Sequence, residues 1–200
     1  MTLSPDRYRD AVAEALSAGA TFAGLHATEG GRLVRVLLVT PTGDLRLLTT
    51  APADGRLPTI TDLSAAAAWD EREAADLAGV IFPGHEPLRP LVSHDPDLGR
   101  WTVPVHGDGP YQVAVGPIHA GVIESGHFRF HVVGDRVLHV DVRLFYKHRG
   151  LERAAEGKTL ADALRYVERA CAACSVSSPL AYVQACERAL GLRAGAELAR

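Results

Sequence analysis

The sequence predicts an α+β chain in two parts. A small α/β sandwich-like domain occupies 1–105, and a β-hairpin region leading into helices occupies 106–200. Three observations carry this reading. A chain of 200 residues suits one domain or two small ones, each able to bury a core. From Ser93 to Pro110 the chain carries Pro, Gly and Asp repeatedly with little periodicity, which places a boundary near 100–110. The charge also divides there: 1–100 holds 9 Lys and Arg against 14 Asp and Glu, whereas 101–200 holds 12 against 10.

The elements follow in order. Tyr8, Val12, Ala15 and Leu16 recur at helical spacing, and Gly19 stands where a C-terminal cap belongs, so 8–18 is a helix. Thr21 to His26 is a short strand. Leu33 to Thr40 is the strongest strand of this half; the turn residues Pro41 to Asp44 and the strand Leu45 to Thr50 complete a hairpin. After a loop from Ala51 to Pro58, the Ala- and Glu-rich stretch Ser64 to Leu77 is helical, with Asp62 or Ser64 as its N-cap. Beyond the boundary, Tyr111 to Val115 is a strand, and Phe128 to Val133, Gly134-Asp135 and Arg136 to Phe145 form the clearest hairpin in the chain. Thr159 caps a helix that runs through Leu160, Leu164 and Val167 to about Cys174, and Pro179 opens another that reaches about Leu192.

Composition removes whole classes of function. With 47% hydrophobic, 22% charged and 6% aromatic residues, the chain is neither collagen-like, coiled-coil nor fully disordered. No apolar run approaches the roughly 18 residues of a spanning helix, so no direct membrane span is expected. MTLSPDRYRD lacks the basic-then-apolar pattern of a secretory signal. Three Cys argue against a disulfide framework and for a reducing, cytoplasmic setting. Neither half is basic enough to neutralise a phosphate backbone, so nucleic acid is not an expected partner.

Two segments could carry chemistry. In ERACAACS, Cys171 and Cys174 stand three apart at a helix end, where both sulfurs can reach one soft metal ion. The same spacing suits two core cysteines in an Ala-rich helix, or a thiol redox or zinc protein. A metal site on this pair needs further ligands. The second segment, GPIHAGVIESGHFRF, surrounds Glu124 with Gly and with His119 and His127. A carboxyl group raised by partial burial there could relay protons; a tight inter-strand loop with a solvated Glu explains the same residues.

Taken together, GPIHAGVIESGHFRF, VLHVDVRLFYKHRGLERAAEGKTL and ERACAACSVSSPLAYVQACERAL resemble, in order and spacing, the start of the large subunit of group 4, formate hydrogenlyase-type nickel–iron hydrogenases and of the 49-kDa subunit of complex I. Upstream, WDEREAADLAGVIFPGHEPLRPLV resembles the signature of the complex I 30-kDa domain, and fusion of the two parts is typical of formate hydrogenlyase-like large subunits. The likeness is good over 65–192. It implies a 30-kDa-like domain followed by the hairpin and first helices of a hydrogenase large-subunit bundle.

The implied roles are carried by position. Arg169, Cys171 and Cys174 match the family's Arg-x-Cys-Gly-x-Cys motif, so the two thiolates would be half of the four that hold a nickel–iron centre, with Arg169 as a neighbouring cation. Glu124 matches a proton-relay Glu. His119 and His127 match the two His of a loop that lines the quinone-reaction cavity in complex I relatives. Tyr146, His148, Arg149, Gly150 and Glu152 match a stretch read as structural or interfacial. The chain departs from the pattern at Ala172, Ser178 and Ser125, which stand for Gly, His and Pro, and the second Cys pair is not in the sequence.

The resemblance therefore implies a subunit, or an N-terminal fragment, of a membrane-associated hydrogenase or NADH-quinone oxidoreductase-like complex. It would reduce protons or oxidise hydrogen with iron–sulfur clusters in a partner small subunit. Membrane subunits would hold it on the inner face of the cell membrane. The 200 residues alone are not expected to turn over hydrogen. The alternative is a non-catalytic docking or scaffold subunit of a complex I-like assembly. If later helices are missing, Leu164, Val167, Leu180, Val183 and Leu190 should form an exposed apolar patch.

Overall fold

The computed structural model describes residues 2–86, 88–92, 103–117, 125–144, 146 and 148–192. They divide between two compact units, one drawn from 1–117 and 126–146, the other from 118–125 and 147–200. The fold is mixed α+β, with two sheets and five helices among the described residues.

The first unit begins with β1 (Thr2–Leu3) and α1 (Pro5–Ser17). Proline opens α1, where its missing N–H costs no helical bond. Tyr8, Ala11, Val12 and Ala15 form its buried stripe. β2 (Thr21–Thr28), β3 (Leu33–Val39) and β4 (Leu45–Thr50) complete a sheet of order β1-β4-β3-β2, antiparallel except where β1 joins β4. On β3 the buried residues Val34, Val36 and Leu38 alternate with half-buried ones, so one face meets the core. Leu25, Leu48, Leu57, Ile60, Val80 and Phe82 fill that core together with the stripes of α1 and α2 (Ala67–Ala78). Gly31, at φ +84°, lies against α2: a Cβ there would stand 2.4 Å from the Ala78 carbonyl oxygen.

The start of α2 differs from expectation. Its N-cap is Ala66, with no side-chain cap. Overlapping turns carry the chain from Ile60 to Ala66, and Asp62 is drawn away into a bidentate pair with the Arg9 guanidinium.

The segment from Trp69 to Val92 is held by the charged side chains of α2. Asp70 Oδ2 accepts from the Leu25 N–H at 2.7 Å, on edge strand β2 beside its bulge at Phe22/Gly24. Glu71, fully buried, accepts from Thr59 Oγ1 at 2.6 Å, His85 Nδ1 at 2.8 Å and the Ile60 N–H at 2.7 Å. Arg72 donates to the carbonyls of Arg89 (2.8 Å) and Pro90 (3.0 Å). Asp76 Oδ2 accepts from the N–H groups of Leu91 and Val92, each at 2.7 Å.

The second sheet, β5 (Tyr111–Val115), β6 (His127–Val133) and β7 (Arg136–Arg143), is antiparallel in the order β5-β6-β7. The other unit holds α3 (Leu151–Ala155), α4 (Leu160–Glu168) and α5 (Ser177–Leu190). Thr159 caps α4 as expected, its hydroxyl accepting from the Asp162 N–H at 3.1 Å. The helix does not reach Cys174, however. It ends at Glu168, with Arg169 turning out of helical geometry at φ −97°, ψ 4°. The cysteines therefore lie in the connection to α5. Packing here is thin: Ala163 is the buried hydrophobic residue of the helical unit among those described, Leu180, Val183 and Leu190 are exposed, and Leu164 and Val167 are half-buried.

Replacing Glu71 by Gln removes one carboxylate oxygen from three buried donors. We expect Glu71→Gln to lower unfolding stability by about 3 kcal/mol in urea titrations, with an unchanged m-value.

Candidate functional site

Two clusters of chemistry-bearing side chains stand out, one on each unit. On the second sheet, β6 and β7 pair His127 with Arg143, Arg129 with Asp141 and His131 with His139, so all six residues line one face. Asp141 is the centre of this face. Its Oδ2 meets His131 Nε2 at 2.8 Å, and its Oδ1 meets His139 Nε2 at 3.1 Å and accepts from the Val103 N–H at 2.9 Å. Since the carboxylate can only accept, Nε2 is the protonated nitrogen of each imidazole. Burial pushes the Asp141 carboxyl up, but the Val103 N–H and the two imidazoles outweigh it and hold the group below the ordinary carboxylate value.

Sequence alone does not single out the Asp141 cluster. Its signal is the spacing His139-x-Asp141-x-Arg143, which puts three polar side chains on one strand face. A two-residue turn at Gly134-Asp135 would set His131 opposite Leu138. Instead Leu138 is the extra residue of a bulge, and the register shift carries His131 onto His139.

In the helical unit, the Cys171 and Cys174 sulfurs are in contact at 2.8 Å, and both residues are half-buried. The Cys174 N–H donates to the Cys171 carbonyl at 3.1 Å, closing a turn that faces the side chains toward each other. The adjacent Cys171 sulfur pushes the Cys174 thiol above its ordinary value. Arg149 fixes the entry to this turn: Nη1 donates to the Arg169 carbonyl at 3.0 Å and Nη2 to the Ala170 carbonyl at 2.8 Å. These carbonyls follow the end of α4, where a cation is favoured. On the exit side, the Ser178 N–H donates to the Cys174 carbonyl at 2.9 Å. Arg149, read from sequence as structural or interfacial, thus acts directly on the cysteine turn.

The expected site residues divide as follows. Arg169, Cys171 and Cys174 come together in one connection. His127 opens β6, its Nδ1 at 3.2 Å from the Gly116 carbonyl oxygen. Glu124 and His119 lie outside the described residues.

The thiol pair can be tested against the metal that the resemblance implies. Metal–sulfur bonds of about 2.3 Å at a tetrahedral ion separate two sulfurs by about 3.8 Å, so chelation requires this pair to open by about 1 Å. Of the three Cys in this sequence, Cys171 and Cys174 are the two that meet, so a four-thiolate centre would draw its other donors from outside these residues. Among the described residues no three His, Cys, Asp or Glu converge on one ion position. The pair is therefore two donors and not a complete site.

Comparison with known proteins bears on the family of the chain. Residues 4–111 match the family model for the respiratory-chain NADH dehydrogenase 30 Kd subunit. The chain is 32% identical to hydrogenase-4 component G of Escherichia coli (strain K12), over 70% of this chain and 30% of the relative. It is 30% identical to formate hydrogenlyase subunit 5 of the same organism, over 68% of this chain and 28% of that protein. The C/D 2 subunit of the NADH-quinone oxidoreductase of Aquifex aeolicus (strain VF5) is 28% identical, over 78% and 35% respectively. The chain thus spans about a third of the length of the curated relatives it matches.

Two expected outcomes follow from the geometry. Asp141 has a lowered folded pKa, so its contribution to stability is complete above the unfolded carboxylate value and is lost as pH falls through the folded one. Thermal unfolding at pH 6 should therefore show wild type above Asp141→Asn, with the gap closing below about pH 4. In Arg149→Ala, hydrogen exchange at the Arg169 and Ala170 amides should accelerate about tenfold, while amides of α5 keep their rates.

Proposed function

The chain belongs to the family of the respiratory-chain NADH dehydrogenase 30 Kd subunit, and we propose that it works as a subunit of a membrane-associated hydrogenase or NADH-quinone oxidoreductase-like assembly. In this reading 1–105 is the 30-kDa-like docking domain, and 106–200 is the first part of a hydrogenase large-subunit or 49-kDa-like domain. The observation that carries it is the coexistence of the family match over 4–111 with a downstream paired-thiol turn whose sequence resembles the hydrogenase motif.

Cys171 and Cys174 would supply two thiolates to a nickel–iron centre completed by donors that this sequence does not contain. Such a centre, when bound, supplies the redox chemistry of proton reduction or hydrogen oxidation. Arg169 would place positive charge beside the thiolates, which favours their ionised form. Glu124 would relay protons, and His119 and His127 would line the approach to the reacting centre. An iron–sulfur small subunit would exchange electrons, and membrane subunits would hold the chain at the inner face of the membrane. No helix among the described residues is long and apolar enough to cross a bilayer itself.

The second reading is a non-catalytic docking subunit. Two observations favour it: Ala172 and Ser178 stand where the resemblance implies Gly and His, and α5 leaves Leu180, Val183 and Leu190 exposed in a thinly packed unit. A partner that covers these side chains would stabilise the unit by removing apolar surface from water.

One experiment separates the readings. The full chain is co-expressed with the polypeptide that carries the remaining thiolate donors, an iron–sulfur small subunit and the membrane subunits of its own organism, and co-elution and metal content are measured. The hydrogenase reading expects co-elution with nickel and iron, and loss of nickel in Cys171→Ser/Cys174→Ser. The docking reading expects equal co-elution of the double variant and no nickel in either sample. A chain that co-elutes with none of these subunits overturns both.

A further inference from the structure

The connection between α4 and α5 supports chemistry that needs no metal. We propose that Cys171 and Cys174 form a reversible dithiol–disulfide couple, oxidised by low-molecular-weight disulfides. The inference stands on the chain's own sulfurs and is independent of whether a metal centre is assembled.

The geometry is close to that of the product. The sulfurs are 2.8 Å apart, so a bond of about 2.05 Å requires an approach of about 0.8 Å. The Cys174 N–H to Cys171 carbonyl bond holds the two residues in a tight turn, and turns of this kind keep Cα atoms within about 7 Å, inside the range disulfides span. The turn is anchored at both ends, by Arg149 on the Arg169 and Ala170 carbonyls and by the Ser178 N–H on the Cys174 carbonyl. This limits the conformational freedom lost on closure. Neither cysteine is fully buried, so the pair is open in part to a small oxidant. Cys186 is set apart from this turn within α5.

The step balances with the oxidant as sole co-reactant. One protein thiol loses its proton, and its thiolate attacks a sulfur of the small disulfide; the oxidant's S–S bond breaks and releases one small thiolate. The second protein thiolate then attacks the mixed disulfide, forming the Cys171–Cys174 bond and releasing the second. Two protein thiols are oxidised, one small disulfide is reduced, and the two protons end on the two small thiols. The disulfide form holds a thiolate at neither position.

The test uses the reduced full chain and oxidised glutathione as probe. After incubation the free thiols are alkylated, and intact mass and peptide maps are recorded. The expected result is loss of two of the three thiols, a mass lower by two hydrogens with no glutathione retained, and a linked Cys171–Cys174 peptide. Dithiothreitol should restore all three thiols, and Cys186 should alkylate throughout. Cys171→Ser and Cys174→Ser should each retain one glutathione on the remaining sulfur of the pair. The proposal is overturned if wild type keeps three alkylatable thiols under glutathione that oxidises a free Cys-Ala-Ala-Cys peptide. Glutathione retained on both cysteines, or a bond from either to Cys186, would overturn it as well.

Discussion

The first unit depends on a carboxylate placed where no water reaches. Glu71 lies on the core-facing stripe of α2 between Ala67 and Ala74, a position that helical periodicity reserves for an apolar residue. Burying a carboxylate there is unfavourable unless donors surround it, and three do: a hydroxyl, a backbone N–H and an imidazole from 59, 60 and 85. The consequence is geometric as much as energetic. Thr59 and Ile60 belong to the loop before α2 and His85 to the loop after it, so one side chain sets both loops against the same helix. Asp70, Arg72 and Asp76 repeat the device on edge strand β2 and on the backbone at 89–92. The signature WDEREAADLAGVIFPGHEPLRPLV is thereby explained by structure. Its charged residues substitute for secondary structure in a segment rich in Pro and Gly, which cannot form a continuous ladder of its own.

Local patterning makes part of this fold legible. Strands β3, β4 and β5 and the hairpin turns are readable because alternation and turn chemistry are local. The N-cap of α2 is not. Asp62 has the right side chain for a cap, but Arg9, 53 residues away in sequence, competes for it with two guanidinium donors. The end of α4 falls short of expectation for a related reason. Ala-rich sequence from 168 to 174 has high helix propensity, yet the carbonyls of Arg169 and Ala170 are taken up by Arg149, a donor outside the helix. In each case a long-range hydrogen bond from an arginine decides a boundary that local propensity leaves open.

Register governs the Asp141 cluster in a similar way. Counting back from Gly134-Asp135 gives an ordinary hairpin, and in that register His131 and Asp141 would not share a face. One extra residue, Leu138, changes the parity and brings two imidazoles onto one carboxylate. A single-residue bulge is nearly invisible in sequence because its cost is spread over one unpaired backbone group, whereas its effect on side-chain placement is complete. The polar network in turn stabilises the bulge, since the straight register would leave a buried aspartate short of donors.

The thiol pair shows how little of a site must be helical to be precise. Spacing of three predicts proximity on a helix, but a helix fixes sulfur positions by its own continuation, and a chain leaving a helix must fix them by other bonds. Here the turn's own hydrogen bond, the Arg149 guanidinium before it and the Ser178 amide after it supply that constraint. The outcome is a sulfur–sulfur distance shorter than a metal chelate requires and longer than a covalent bond. Either state changes the separation of the sulfurs on a backbone that these bonds anchor. Metal donation and disulfide formation compete for the same electrons on the same two atoms, so whichever reaction occurs first excludes the other until it is reversed.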